Sequence, residues 1–152
     1  MSSNTVKIKY FSADYPHLGE VDKAQSEWVD LYTDESVTID QFDSAFVKLG
    51  VAMQLPAGYE AIIAPRSSMF KKYGVILSNS IGVIDNSYSG DNDQWQANLI
   101  ALRPDVVIPR HERLLQFRLV KTMPAGHDDF SFETVDHLEG PDRGGFGSTG
   151  HN

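Results

Sequence analysis

The chain has 152 residues, a formal charge of −8 and no cysteine, with 41% hydrophobic and 22% charged residues. This length suits one ordinary domain with a core of its own, and the lack of cysteine excludes disulfides and thiolate metal sites. No apolar run nears the roughly 20 residues of a membrane-crossing helix, and so acidic a chain is a poor clamp for a nucleic-acid backbone. Neither a membrane nor a nucleic acid is therefore an expected partner.

The first ten residues, MSSNTVKIKY, are polar and then alternate from Val6 to Tyr10, as a half-buried strand does. They lack the apolar stretch of a secretory signal, so a cytoplasmic protein is expected. Trp28 to Tyr32 (WVDLY) sets Asp30 inside an apolar stretch. Val37–Ile39 and Phe46–Met53 read as strands, and Pro56-Ala57-Gly58 supplies a turn before a strand over Tyr59–Ala64. One short helical segment is expected around Ser67 to Lys72. Strands follow at Gly74–Asn79, Gln96–Leu102 and Leu114–Val120, with Asp, Asn, Gly and Pro between them. No repeat and no long 3.6-residue rhythm is present, so the fold class is all-β: a sandwich, jelly roll or barrel. From Glu139 the composition changes to EGPDRGGFGSTGHN. The expected organisation is a β-rich domain over 1–138 and a flexible glycine-rich arm over 139–152.

Three segments carry candidate chemistry. In the arm, glycines let the backbone approach a ligand closely, and Arg143 offers a fork suited to phosphate oxygens. Ser148 and Thr149 add hydroxyls, and Phe146, alone among glycines, can stack on a base. Composition by itself favours a plain disordered end. In Ala64-Pro65-Arg66-Ser67-Ser68, Pro65 ends a strand and Ser67 opens a helical turn whose free N–H groups suit phosphate; a simple N-cap at Ser67 explains the segment equally well. In Ser78 to Gly90, apolar residues around two turn signals predict a β-hairpin whose backbone can read a nucleobase edge. Asp85 follows an apolar triplet there, which predicts partial burial and suits a general base. A turn-capping aspartate is the commoner fate of such a residue. The five histidines show no metal-ligand spacing.

Taken in order, WVDLY, PRSSM, GVIDNSYSG, ERLLQF and GGFGSTG resemble the five motifs of the homotrimeric dUTPase family, in its Bacillus and phage-type subgroup. The resemblance implies a jelly-roll-like dUTPase fold (β-clip) and a homotrimer with active sites at subunit interfaces. It implies hydrolysis of dUTP to dUMP and pyrophosphate, which supports dTTP synthesis and keeps uracil out of DNA. By position, Asp85 activates the attacking water, Tyr88 packs on the deoxyribose, and Asn79, Gly82 and Ile84 contribute to the uracil site. Arg66, Ser67, Ser68 and Gln116 hold phosphates, with Arg143, Gly147, Ser148 and Thr149 at the far end and Phe146 over the uracil. Mg2+ is carried by the triphosphate, with Asp30 meeting it through water and no direct protein ligand.

The chain departs from the family pattern in three places. Pro141 stands where the fifth motif has its arginine, Trp28 and Val29 precede the first-motif aspartate, and Asp91 to Trp95 reads as an inserted turn. In the Bacillus and phage-type subgroup the ring over uracil can come from elsewhere, which makes Trp95 a rival to Phe146. Two other readings stand beside hydrolysis: a dCTP deaminase of the same fold, and a phage regulatory binding protein with a protein partner. The deaminase needs a glutamate further along the third motif, and no Glu occurs between Glu60 and Glu112.

Overall fold

Side chains of a strand point alternately to its two faces, so one face can be apolar while the other meets water. The computed structural model, which describes residues 4–18, 26–123 and 130–146, follows this rule closely. Its elements are β1 (Lys7–Tyr10), β2 (Val29–Tyr32), β3 (Val37–Ile39), β4 (Ser44–Lys48), β5 (Val51–Gln54), β6 (Tyr59–Pro65), α1 (Ser68–Tyr73), β7 (Val75–Leu77), β8 (Gly82–Ile84), β9 (Gln96–Ala101), β10 (Val106–Ile108) and β11 (Arg113–Lys121). The strands pair antiparallel as β2-β11-β6-β8, β4-β9-β7, β1-β5 and β10-β3.

The inward faces meet in one apolar cluster. Leu31 from β2, Leu115 and Phe117 from β11, and Ala61 and Ile63 from β6 pack with Val47, Leu99, Ala97 and Val75 of the three-stranded sheet. The expected all-β class holds, and α1 is the single helix among the described residues. That helix stops at Gly74, which adopts the left-handed conformation at φ +66° and donates its N–H to Phe70 O.

Two expectations need correction, and one strand was not anticipated. Phe46–Met53 is not one strand: it contains the end of β4 and most of β5, which belong to different sheets. The break is at Gly50, whose φ is +71° and where a Cβ would stand 2.7 Å from the Tyr15 ring. The stretch from Ser78 to Gly90 is not a laddered hairpin. Its apolar run forms β8, which pairs with β6, while the preceding β7 pairs with β9, so the turn between them bridges two sheets. Finally, β10 carried no readable signal. It has three residues, between Asp105 at φ +56° and Pro109, too few to show alternation, and only its partner β3 defines it as a strand.

The entry into β11 is fixed by a fully buried threonine. Thr33 Oγ1 donates to Pro109 O at 2.8 Å and accepts from Glu112 N at 3.0 Å, while its backbone bonds His111 N and Glu112 O. Thr33→Val keeps the shape but leaves a buried N–H and carbonyl without that hydroxyl. A loss of about 1–3 kcal/mol is expected, measured as a lower urea midpoint with an unchanged slope.

Candidate functional site

The outer face of the four-stranded sheet gathers three of the sequence segments. Gln116 of β11 sits opposite Asp30 of β2 on one side and Ala64 of β6 on the other. Because Leu31 and Leu115 turn into the core, Asp30 and Gln116 turn out. The Asp30 carboxylate lies between two guanidinium groups, 3.2 Å from Arg66 Nε and 3.3 Å from Arg113 Nη1. Arg66 Nη1 also donates to Arg113 O at 3.3 Å, and Gln116 Nε2 donates to Pro65 O at 3.2 Å. The shared carboxylate lets two cations stand side by side, an arrangement suited to a polyanion. Ser67 takes the N-cap position of α1, yet its side chain makes no capping hydrogen bond, and both Ser67 and Ser68 are exposed. Arg113 was not singled out in the sequence. Its place three residues before Gln116 in ERLLQF was the available signal.

A second cluster lies where β8 ends. A cleft of about 510 Å³ is lined by Ile84, Asp85, Tyr88, Phe46, Val83, Gln94 and Gln96. Asn79 and Gly82 line a neighbouring cleft of about 240 Å³, which also includes Phe46 and Gln96. Phe46 is 68% exposed and forms a wall of both; a lone aromatic on a strand gave no warning of this. Asn86 Nδ2 ties the turn to Pro56 O and Tyr59 O at 3.0 and 2.8 Å, and the Tyr88 hydroxyl donates to Gln94 O at 3.0 Å. The inserted turn is present: Gly90 N donates to Asp93 Oδ2 at 2.8 Å and Asp93 N to Gly90 O at 3.1 Å.

Asp85 is exposed rather than partly buried, because it lies just past the end of β8, the outermost strand of its sheet. Its Oδ2 accepts from the Ser87 hydroxyl and, at 2.9 Å, from Ser87 N. The Ser87 hydroxyl first, and then its backbone N–H, hold the Asp85 carboxyl below the usual carboxylate range.

Trp95 is not available for stacking. It is fully buried, edge-on to Phe117 with ring centres 5.1 Å apart, and it leads into the inward-facing Ala97, Leu99 and Ala101. The expectation that it rivals Phe146 fails because its position on the β9 face points it into the core. Phe146 itself is fully exposed, at φ +52°, and Arg143 is also exposed. Gly147, Ser148 and Thr149 lie outside the described residues. Trp95→Ala should therefore act as a core truncation, costing about 3–5 kcal/mol of stability in urea unfolding.

Within one chain the two clusters are far apart. From Asp30 to Asp85 the sheet is crossed by three strand spacings of about 4.8 Å and along β6 by about four residues at 3.3 Å each, roughly 20 Å in all. Among the described residues no group of three or more His, Asp or Glu could hold a metal ion. Nor is any helix among them long and apolar enough to cross a membrane.

Residues 21–150 match the family model for dUTPase. The chain is 47% identical over 145 residues to the SPbeta prophage-derived deoxyuridine 5'-triphosphate nucleotidohydrolase of Bacillus subtilis (strain 168), covering 95% of this chain and 97% of that one. It is 35% identical to the deoxyuridine 5'-triphosphate nucleotidohydrolase of Bifidobacterium longum subsp. infantis, over 97% and 91% of the two chains. The Streptococcus mutans dUTPase crystal structure superposes with a TM-score of 0.66 at 25% identity, over 75% of this chain and 94% of the other. A Staphylococcus bacteriophage 80alpha dUTPase, solved with dUPNHPP, shares the fold at a TM-score of 0.77 and 20% identity, over 98% and 100%. The chain has the all-β, jelly-roll-like fold of nucleotide hydrolases of this kind. It belongs to the dUTPase family, in its Bacillus and phage-type subgroup.

Proposed function

We propose that this chain hydrolyses dUTP to dUMP and pyrophosphate, with Asp85 as the base that directs water at the α-phosphorus. Family membership supports the reaction. The observation that carries the mechanism is a carboxylate held ionised on the wall of an open cleft beside Tyr88. As the water oxygen bonds to the α-phosphorus, its proton passes to Asp85 and the bond to the bridging oxygen breaks. Pyrophosphate leaves with that oxygen. Most of the barrier in such a reaction is charge repulsion and misalignment, so positioning and neutralisation dominate catalysis.

Asn79, Gly82 and Ile84 are proposed to take the uracil side, and Tyr88 the deoxyribose. Arg66, Ser67, Ser68 and Gln116 take the phosphates. The gap of roughly 20 Å between these groups in one chain supports an assembly in which the cleft of one subunit faces the arginine corner of another, and family membership makes that assembly a homotrimer. Residues 139–152 are proposed as the arm that closes over the nucleotide, with Phe146 on the base and Arg143, Gly147, Ser148 and Thr149 toward the phosphates. The fully exposed Phe146 ring fits that part. Mg2+ is proposed as the cofactor, held mainly by the triphosphate, where it neutralises phosphate charge. Asp30 suits a contact through water, since it is partly exposed and already held in place by two arginines. A cytoplasmic setting, where nucleoside triphosphates are used, belongs to the same reading. A regulatory protein partner is a compatible second role, as the phage 80alpha dUTPase is described as controlling transfer of virulence genes. Deamination of dCTP is not favoured, because among the described residues no glutamate lines the two clefts.

With Mg2+ and dUTP the protein should release dUMP and pyrophosphate; ammonia or orthophosphate as first product would overturn the assignment. Asp85→Asn should bind nucleotide while turning over about 10²–10⁴-fold more slowly. A composite site makes a sharper demand. Asp85→Asn and Arg66→Ala, each nearly inactive alone, should regain part of the activity when unfolded together and refolded as a mixture. Mixtures no more active than either parent would place both residues in one subunit's site. Truncation after Gly140 should remove turnover and leave the urea midpoint unchanged.

A further inference from the structure

Asp85 has two carboxylate oxygens, and the structure treats them differently. Oδ2 accepts both the backbone N–H and the hydroxyl of Ser87, whereas Oδ1 accepts from no group among the described residues. A lone exposed carboxylate would rotate about its terminal bond between two broad, equivalent wells. Two donors from one residue, converging on one oxygen, remove that freedom and leave the other oxygen and its lone pairs for a water molecule. The turn that supplies the donors is itself fixed, since Asn86 bonds Pro56 O and Tyr59 O, and Tyr88 bonds Gln94 O.

We infer that Ser87 is a positioning residue for hydrolysis, locking the Asp85 carboxylate so that Oδ1 alone faces the attacking water. The inference rests on Asp85 being the base. Ser87 touches no reacting atom in this arrangement and acts through its neighbour. The other cleft-lining side chains, Phe46, Val83, Ile84, Gln94, Gln96 and Tyr88, include no carboxylate, amine or guanidinium. On the strands packed alongside, the charged residues nearest in register are Glu60 of β6 and Lys48 of β4, neither of which lines the cleft. Ser87 is thus the group that sets the orientation and the acidity of this carboxylate.

The base works only when ionised, so its acidity sets the acid limb of the rate profile. Removing the Ser87 hydroxyl takes away the first cause of the lowered pKa, and the limb must move to higher pH. The experiment is a pH profile of kcat and KM for dUTP with Mg2+, on the full chain, for Ser87→Ala, Ser87→Thr and Asp85→Asn. Ser87→Ala should lower kcat about tenfold even at pH 8, where the Asp85 carboxylate is ionised with or without the Ser87 hydroxyl, with KM unchanged. Its acid limb should lie higher than that of the parent, and Ser87→Thr, which keeps a hydroxyl, should restore both. A parental profile in Ser87→Ala overturns the inference, as does a defect confined to KM. If Asp85→Asn turns over normally, the base assignment itself fails. If that variant is dead while Ser87→Ala is normal, only the positioning role falls.

Discussion

The corner formed by Asp30, Arg66, Arg113 and Gln116 hangs on the antiparallel ladder between β11 and its two neighbours. β11 bonds β2 on one edge and β6 on the other, and the register brings Gln116 level with Asp30 and with Ala64. A slip of one residue would turn Leu115 and Phe117 out and Gln116 into the core. The burial of Leu31, Leu115, Phe117 and Ile63 therefore does more than stabilise the sheet. It decides which side chains the outer face presents.

What the face presents resolves an electrostatic difficulty. An acidic chain repels a triphosphate at long range, so attraction must be local. In the proposed site Arg66 and Arg113 meet that need, and two guanidinium groups so close would repel each other without the carboxylate of Asp30 between them. All three side chains are partly exposed, and ion pairs of that kind contribute little to stability. Their value is geometric: a pair of forks held in a fixed direction. The aspartate that lines the cleft shows the same economy of means, since one serine donates twice to a single oxygen of it and lowers its pKa.

The sheet that builds the two clusters also separates them. Asp85 follows an edge strand and Asp30 lies on the opposite edge, so no rotation of side chains joins them across roughly 20 Å. A short two-sided sheet can hold one cluster at each corner, and in the proposed assembly a second copy of the chain closes the gap. Rigid β corners suit such a division, because each half of the site keeps its shape before the halves meet.

Much of this was written into the residues. Alternation in Val6–Tyr10 and Gln96–Leu102, the turn at Pro56-Ala57-Gly58 and the absence of a long helical rhythm together specify an all-β chain, since period two is a local property of the sequence. The five motifs in order identified the family, because residue types at fixed spacing carry chemistry whatever the fold around them. Other features had no local signature. Whether Phe46–Met53 is one strand or two depended on the Tyr15 ring lying across Gly50, and whether β7 pairs with β8 depended on which sheet each one met. Trp95 read as a free aromatic until the face of β9 directed it inward. Asp85 read as half-buried until its strand proved to be an edge. Each of these was settled by contacts between residues distant in the chain, and only the tertiary structure contains those.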